Sequence, residues 1–140
     1  QIRILRNLDN FSKLTSIESN KKFAEIAKEH IKISGLSENH ELLIGKTTQI
    51  IPTLDEKFDF IFIDHWKDLY LEDLKMLERK KLIKHNAWIF ADNVILFNLE
   101  DYLGYVRSSP NYQSKFISTK REYSKSHPDG IEISIFKDEI

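Results

Sequence analysis

Short apolar segments that resemble β-strands alternate along this chain with longer segments whose apolar residues recur at helical spacing. The strand-like segments cover residues 13–19, 41–45, 58–64 and 87–93, and helical spacing covers residues 20–35 and 70–83 between them. A chain that alternates in this way predicts an α/β fold with a mostly parallel sheet and helices on both faces. The segment 58–64, FDFIFID, is almost continuously apolar, which predicts a fully buried strand containing Phe60, Ile61, Phe62 and Ile63.

The end of the chain departs from this alternation. A helix is expected over residues 99–109, and two strands, near residues 112–119 and over 131–136, follow without a helix between them. Consecutive strands of this kind predict an antiparallel C-terminal edge on the sheet. Residues 48–54 are expected to form a short helical turn interrupted by proline. No repeat or flexible linker divides the sequence, so we expect one domain over residues 1–140.

Composition excludes several classes of function. A formal net charge of −1 gives no global field that would attract nucleic acid, and the Lys-rich residues 78–84 are expected to form the solvated end of a helix. The sequence contains no cysteine and no paired histidines at zinc-site spacing, which excludes disulfides, thiolate metal sites and the common zinc motifs. No apolar run approaches the roughly 20 residues that a membrane-spanning helix needs.

Acidic side chains stand where three predicted strands end: Glu18, Asp64, and Asp92 followed by Asn93. Ligands of open α/β sheets bind at the carboxyl ends of the strands, so these positions are candidates for a site. One interpretation is that the Asp and Asn side chains cap the helices that follow. The other is that Asp64, Asp92 and Asn93 supply hard oxygen ligands to Mg²⁺, which keeps coordination positions open for water or substrate.

Four segments form a recognisable set: FIFIDHWKDLYLEDL (60–74), FADNV (90–94), YVRSS (105–109) and EYSKSHPDGIE (122–132). Together they resemble the animal catechol O-methyltransferase family, whose members depend on magnesium and S-adenosylmethionine. The combination of DHWKD with a later ADNV is specific, and the similarity covers nearly the whole chain. The resemblance implies a Rossmann-like methyltransferase sheet.

The resemblance also implies a role for each candidate site residue. Asp64, Asp92 and Asn93 would bind Mg²⁺, Lys67 would be the general base, and Glu122 would hold the second catechol hydroxyl. Lys67, Asn93 and Glu122 would thus contact the substrate. The methyl donor would be bound by Glu18 through its ribose hydroxyls, with Thr47, His65 and Trp66 lining the donor site.

The chemistry of methyl transfer gives these roles a physical reason. A phenolic hydroxyl with a pKa near 10 is mostly protonated at neutral pH, and Mg²⁺ bound to both catechol oxygens lowers that pKa. A lysine beside the metal can then take the proton. Other interpretations remain open: Lys67 as a solvated surface lysine, Trp66 as core filling, and Glu18 as a charge favoured at a helix N-terminus.

Three positions depart from the family pattern. The glycine-rich loop that wraps the methyl donor in the family precedes the position of Gln1, and the first glycine here is Gly35. We therefore expect a C-terminal portion of a methyltransferase domain that lacks the N-terminal helices and first strand, or a degenerate copy. Phe97 is expected near the catechol, and Arg121 beside the catalytic glutamate predicts a preference for an anionic catechol.

The expected function is transfer of a methyl group from S-adenosylmethionine to one hydroxyl of a Mg²⁺-chelated catechol. We expect a monomer without nucleic-acid partners, located in the cytoplasm, and leave open an upstream membrane anchor. The alternatives are a non-catalytic or truncated methyltransferase-like module that lacks the donor-binding loop, and a methyltransferase acting on RNA or protein. The balanced charge disfavours the last of these.

Overall fold

The computed structural model describes residues 1–120 and 127–138. The chain forms two compact units, Gln1–Thr53 and Leu54–Ile140. Each unit contains its own sheet. Among the described residues, no helix is both long and apolar enough to cross a membrane.

The first unit is a small α/β structure. Its helices are α1 (Ile2–Leu5), α2 (Lys21–Ile33) and α3 (Thr47–Ile50), and its strands β1 (Leu14–Glu18) and β2 (His40–Ile44) pair in parallel. Helix α2 begins where the sequence predicts it, because the Asn20 side chain accepts hydrogen bonds from the Lys22 and Phe23 amides. It ends just before Gly35, which adopts a left-handed φ of 74°.

The second unit contains a four-stranded sheet and two α-helices. In chain order its elements are β3 (Phe58–Ile63), α4 (Tyr70–Arg79), β4 (Ile83–Ala91), α5 (Glu100–Ser108), β5 (Tyr112–Lys120) and β6 (Pro128–Phe136). The strand order is β3-β4-β6-β5. Strands β3 and β4 are parallel, whereas β6 is antiparallel to both β4 and β5. The predicted antiparallel C-terminal edge is confirmed.

Helix α4 is shorter than its apolar pattern indicates. The helical spacing extends to residue 83, but the helix ends at Arg79. Lys81 adopts a left-handed φ of 56°, and the Leu82 amide then donates to the Leu77 carbonyl at 2.9 Å. This turn buries Leu82 as an anchor of the helix end and allows β4 to begin at Ile83.

The two faces of the four-stranded sheet differ in burial. Helices α4 and α5 pack on the face that carries Ile63 and Ile89, which are 4% and 0% exposed. On the other face Phe60 pairs with Trp88, and Phe60 and Phe62 are 38% and 47% exposed. The prediction that β3 is buried on both faces is therefore wrong for these two phenylalanines, because the two α-helices of this described unit occupy the opposite face.

One ion pair and several hydrogen bonds tie α4 and α5 to the sheet. The Arg107 guanidinium of α5 donates two hydrogen bonds, of 2.8 and 2.7 Å, to the Glu132 carboxylate of β6, which is 1% exposed. The Glu78 carboxylate of α4 accepts hydrogen bonds from the hydroxyls of Tyr105 and Tyr112. These contacts hold α5 against β6 and hold α4 against α5 and β5.

Candidate active site

The candidate site forms where the parallel strands β3 and β4 end side by side. Ile63 pairs with Ala91, and the Asp92 amide donates to the Ile63 carbonyl at 3.0 Å. Asp64 and Asp92 are the next residues on the two strands. The expectation that adjacent strand ends bring these two acids to one edge is thus met by the pairing register.

The Lys67 ammonium lies at the centre of this edge. Its Nζ donates to Asp64 Oδ1 at 3.1 Å, to Tyr70 Oη at 2.6 Å and to Asn93 Oδ1 at 3.2 Å. The Lys67 side chain is only 14% exposed. The interpretation of Lys67 as a solvated surface lysine is therefore wrong, since all three N–H groups of the ammonium have acceptors within the site.

The Tyr70 hydroxyl accepts the shortest of the three hydrogen bonds that Lys67 Nζ donates. The Tyr70 side chain is fully buried, and its hydroxyl donates to the Asp92 carbonyl at 3.2 Å. Burial, reinforced by the nearby carboxylates of Asp64 and Asp92, raises the pKa of the Tyr70 hydroxyl far above its ordinary value. Tyr70 therefore stays protonated and serves as a fixed hydrogen-bonding group.

The Asp92 carboxyl group is partly buried and lies near two other carboxylates, Asp64 and Asp129, but only one ammonium, Lys67. Burial raises the pKa of Asp92, and the like charges of Asp64 and Asp129 raise it further, against the lowering effects of the Asn93 amide and the Lys67 ammonium. A second cation at this position would relieve that repulsion.

Asn93 projects into the site from an unusual backbone conformation. It has a left-handed φ of 57°, and its backbone N–H donates to Asp92 Oδ1 at 2.8 Å. Its side-chain Nδ2 donates to Asp129 Oδ2 at 2.9 Å. Although burial tends to raise the pKa of Asp129, hydrogen bonds from Asn93 and from backbone amides, including that of Gly130, bring this pKa below its usual range.

Asp64, Asp92 and Asn93 fit a hard divalent cation by their chemistry. Asp64 Oδ1 and Asn93 Oδ1 both accept hydrogen bonds from one cation, the Lys67 ammonium. The raised pKa of Asp92 shows that its ionised form would be stabilised by a further cation. Within the described residues, no three His, Asp or Glu side chains form a group arranged to hold a metal ion. The candidate set therefore depends on the amide oxygen of Asn93 as its third ligand.

His65 is fixed by a carboxylate that the sequence did not identify. Its Nε2 lies 2.6 Å from Asp73 Oδ2, and its ring stacks on Tyr70 with centroids 5.2 Å apart. The Asp73 side chain is 4% exposed, and its Oδ1 has no hydrogen-bond partner among the described residues. Trp66, in contrast, is 73% exposed, which rules out the interpretation that it fills the core.

Two of the predicted donor-binding residues lie in the first unit. Glu18 Oε1 accepts a hydrogen bond of 2.7 Å from the Asn20 amide, so its carboxylate orders the turn that leads into α2. The hydroxyl of Thr47 is buried without a hydrogen-bond partner in the described part of the chain. Their roles toward a methyl donor remain predictions.

The predicted substrate-side residues divide between described and undescribed positions. Glu122 and Arg121 lie outside the described residues. Phe97 does lie at the site, because its ring centroid is 5.4 Å from Lys67 Nζ. An open groove of about 660 Å³ begins at Lys67 and Phe97 and continues along α4 and the N-terminal end of α5.

Sequence reasoning missed Tyr70, Asp73 and Asp129. Tyr70 and Asp73 lie three and six residues after Lys67, and so one and two turns farther along the same helical segment. Asp129 lies in an Asp-Gly pair at the start of the last strand. That pair indicates an Asp side chain that accepts from nearby backbone amides, but it does not indicate the contact with Asn93.

Comparison with known proteins shows that the chain is similar to O-methyltransferases. A family model described as O-methyltransferase matches residues 3–122. Catechol O-methyltransferase B of Danio rerio is 37% identical over 140 residues, covering 96% of this chain and 53% of the relative. Catechol O-methyltransferase of Sus scrofa is 34% identical over 141 residues, covering 97% of this chain and 75% of the relative.

A solved structure shows the same fold. The O-methyltransferase from Bacillus cereus in complex with SAH superposes with a TM-score of 0.86 at 21% identity, covering 97% of this chain and 68% of that chain. The predicted Rossmann-like α/β fold is confirmed. The chain spans about half the length of several curated relatives that it matches. On the family match and the catechol O-methyltransferase relatives, the chain belongs to the O-methyltransferase family.

Proposed function

We propose that this protein acts in S-adenosylmethionine-dependent methylation of a catechol hydroxyl, with Mg²⁺ held by Asp64, Asp92 and Asn93. The observation that carries the proposal is the convergence of Asp64 Oδ1 and Asn93 Oδ1 on the Lys67 ammonium at the ends of β3 and β4. This edge combines cation-binding oxygens with a group that can hold a proton. Catechol methylation requires both.

The proposed metal would lower the pKa of a catechol hydroxyl when bound. The residues of the chain supply the rest of the site. Asp64 and Asp92 contribute two negative charges, and the Asn93 amide contributes a neutral oxygen that can bind a cation without adding to the repulsion that already raises the pKa of Asp92. This mixture suits Mg²⁺ better than a softer metal, because every candidate ligand atom is oxygen.

Lys67 is the proposed acceptor of the hydroxyl proton. Its Nζ is held by Tyr70 Oη at 2.6 Å, so it keeps a defined position even when its other contacts change. For this role the Lys67 ammonium would first release one proton to solvent. The neutral amine would then take the catechol hydroxyl proton at Nζ, and the ammonium formed again would be stabilised by Asp64 at 3.1 Å. Tyr70 keeps its own proton because of its raised pKa, so it does not compete for this role.

S-adenosylmethionine is the proposed methyl donor. The Bacillus cereus structure with the same fold is described as a complex with SAH. His65 and Trp66 follow Asp64 directly, and the large exposed surface of Trp66 makes its indole available for contact with a purine. The buried and unpartnered Thr47 hydroxyl is a further candidate contact. Glu18 is proposed for the ribose hydroxyls.

The catechol is proposed as substrate because the curated relatives at 34–37% identity are named for it. Phe97 beside Lys67 provides an aromatic surface, and the groove that begins there, which is lined mostly by polar side chains, provides space for a ring that carries hydroxyl groups. Glu122 as the contact to the second hydroxyl, and a preference for anionic catechols through Arg121, remain predictions. So do the monomeric state and the cytoplasmic location.

The proposal can be tested by incubating the protein with S-adenosylmethionine, Mg²⁺ and dihydroxybenzoate or dopamine, with methylated products detected by mass spectrometry. We expect a singly methylated catechol that requires Mg²⁺ and is lost in Asp92→Ala. Asp59→Ala is the matched control, since Asp59 is an acid of the same unit with a side chain that is 78% exposed. Binding of S-adenosylmethionine without methylation of either catechol would favour the alternative of a non-catalytic methyltransferase-like module.

A further inference from the structure

The buried carboxylate of Asp129 holds the side chain of Asn93. Asp129 is 2% exposed and lies near the start of β6. Its Oδ2 accepts from Asn93 Nδ2 at 2.9 Å. Its Oδ1 accepts from the backbone amides of Gly130 at 2.8 Å and Leu96 at 3.3 Å. Both carboxylate oxygens are therefore occupied by N–H donors.

This contact decides which end of the Asn93 amide faces the candidate metal site. A side-chain amide has one end that donates and one that accepts, whereas a carboxylate only accepts hydrogen bonds. The Nδ2 end of Asn93 must therefore point toward Asp129. Its oxygen then points the opposite way, toward Lys67 Nζ at 3.2 Å. A flipped amide would set two acceptors against each other at Asp129 and two donors against each other at Lys67.

The backbone around Asn93 restricts the side chain further. Its left-handed φ of 57° fixes the direction in which the side chain leaves the chain. The Val94 amide donates to the Gly130 carbonyl at 3.1 Å, which ties the same loop to the start of β6. Asp129 thus acts on a residue whose main chain is already held, so the remaining freedom is mainly the orientation of the amide.

We propose that Asp129 is a positioning residue that keeps the Asn93 side-chain oxygen directed at the cation site shared with Asp64 and Asp92. The inference rests on the proposed function, because it assumes that Asn93 is a metal ligand. It adds a residue that contacts neither the metal nor the substrate. Partners that orient a metal ligand from outside the coordination sphere commonly change metal affinity by about 10–100-fold when they are removed.

A purely structural role for Asp129 makes a different prediction. Its hydrogen bonds to the backbone of Gly130 and Leu96 would then be its whole contribution. Asp129→Asn would then lower the stability of the protein and change the cation affinity of the folded molecules only through the lost negative charge, which also acts on Asp92. The two roles are therefore separated by metal affinity measured without substrate in both Asp129→Asn and the charge-conserving Asn93→Asp/Asp129→Asn.

The test measures Mn²⁺ binding to the metal-free protein by electron paramagnetic resonance, with thermal unfolding recorded for every variant. Asp129→Asn places an amide nitrogen or a less basic oxygen against Asn93 Nδ2, and we expect about 10–100-fold weaker Mn²⁺ binding. Asp59→Asn removes the same charge from an exposed position and should leave the affinity within about twofold. Equal affinities of wild type and Asp129→Asn would overturn the inference.

A swapped pair provides the decisive variant. In Asn93→Asp/Asp129→Asn the donor and acceptor change places, so the amide of residue 129 can donate to the new carboxylate, whose second oxygen faces the cation. The net charge is that of the wild type. We expect this double variant to fold and to recover Mn²⁺ binding relative to Asp129→Asn. Failure to fold or to recover binding would count against the inference.

The same experiment separates the inference from the proposed function. If the folded wild-type protein does not bind Mn²⁺, the proposed metal site is wrong, and the proposed positioning role of Asp129 is then wrong as well. If the wild type binds Mn²⁺ and Asp129→Asn binds it equally well, only the positioning role is wrong.

Discussion

The hydroxyl of Tyr70 lies 2.6 Å from Nζ of Lys67 and donates its own proton to the Asp92 carbonyl at 3.2 Å. One buried phenol thus links the lysine at the start of the α4 segment to the end of β4. Because the Tyr70 hydroxyl accepts from one group and donates to the other, it fixes the lysine and the strand end relative to each other.

Tyr70→Phe should lower turnover and cost about 1 kcal/mol of unfolding free energy, because both hydrogen bonds of the hydroxyl are lost. Turnover and thermal unfolding would be measured together. Tyr102→Phe is the matched control: Tyr102 is equally buried, and its hydroxyl has no hydrogen-bond partner among the described residues. Its removal should leave stability and turnover unchanged or improved. Similar losses in both variants would argue against a specific role for Tyr70.

Lys67→Met should abolish methylation and strengthen Mn²⁺ binding. The lysine ammonium holds oxygens of Asp64 and Asn93 that a metal ion would use, so removing it takes away a competing positive charge. Isothermal titration of the metal-free protein would report the affinity. Lys84→Met, which removes an exposed lysine paired with Asp59, is the control and should change neither property. Weaker metal binding in Lys67→Met would show that the lysine supports the site in some other way.

Asp92→Asn should stabilise the metal-free protein. The folded-state pKa of Asp92 is raised above its ordinary value, so its ionised form destabilises the fold. Stability should therefore fall as the pH rises through the interval between the unfolded and folded pKa values, and this slope should be reduced in Asp92→Asn. Thermal unfolding from pH 4 to 8, a range chosen to cross that interval, provides the measurement. A lower melting temperature at neutral pH would contradict the prediction.

Asp73→Asn should raise KM for S-adenosylmethionine more than it lowers kcat. The Asp73 carboxylate lies 2.6 Å from His65 Nε2, and an amide at that position no longer selects the same orientation of the imidazole. Asp59→Asn is the control, because Asp59 is an exposed acid of the same unit that does not line the groove. A stability loss with unchanged KM would assign Asp73 to folding alone.

Glu78→Gln should destabilise the fold by about 1–3 kcal/mol without a change in KM for either substrate. The Glu78 carboxylate accepts hydrogen bonds from Tyr105 and Tyr112, and hydrogen bonds to a charged group are stronger than those to an amide. Burial together with this carboxylate raises the pKa of Tyr105 to about 12, so the phenol remains a donor at neutral pH. Chemical denaturation would measure the loss, and a changed KM would mean that the contact reaches the site.

The sequence predicted most of the elements and the strand-end acids because both leave local patterns. Apolar spacing marks α2 and α4, and the parallel pairing of β3 with β4 follows from the helix between them. The burial of β3 could not be predicted, because an apolar run does not show which face of a sheet is covered. Phe60 and Phe62 are exposed for that reason.

The residues that hold the site were harder to predict than the residues that form it. Lys67 and Asn93 stand beside strand ends, where functional residues are expected. Asp129 lies 36 residues after Asn93, and its contact depends on β6 pairing antiparallel to β4. No local pattern encodes a contact of that kind, so only the assembled sheet reveals it.

The alternation of side chains along β3 also makes the site depend on the length of that strand. Phe60 and Phe62 point to one face, and Ile61 and Ile63 point to the other. One residue inserted at the start of the strand would move Phe60 and Phe62 to the face now occupied by Ile61 and Ile63, and the reverse. The Asp64 side chain would also turn to the opposite face of the sheet. Two inserted residues would restore the phase. Because two inserted residues would also move Asp64 by about 7 Å along the strand and out of line with Asp92, an insertion of either parity would disturb the site.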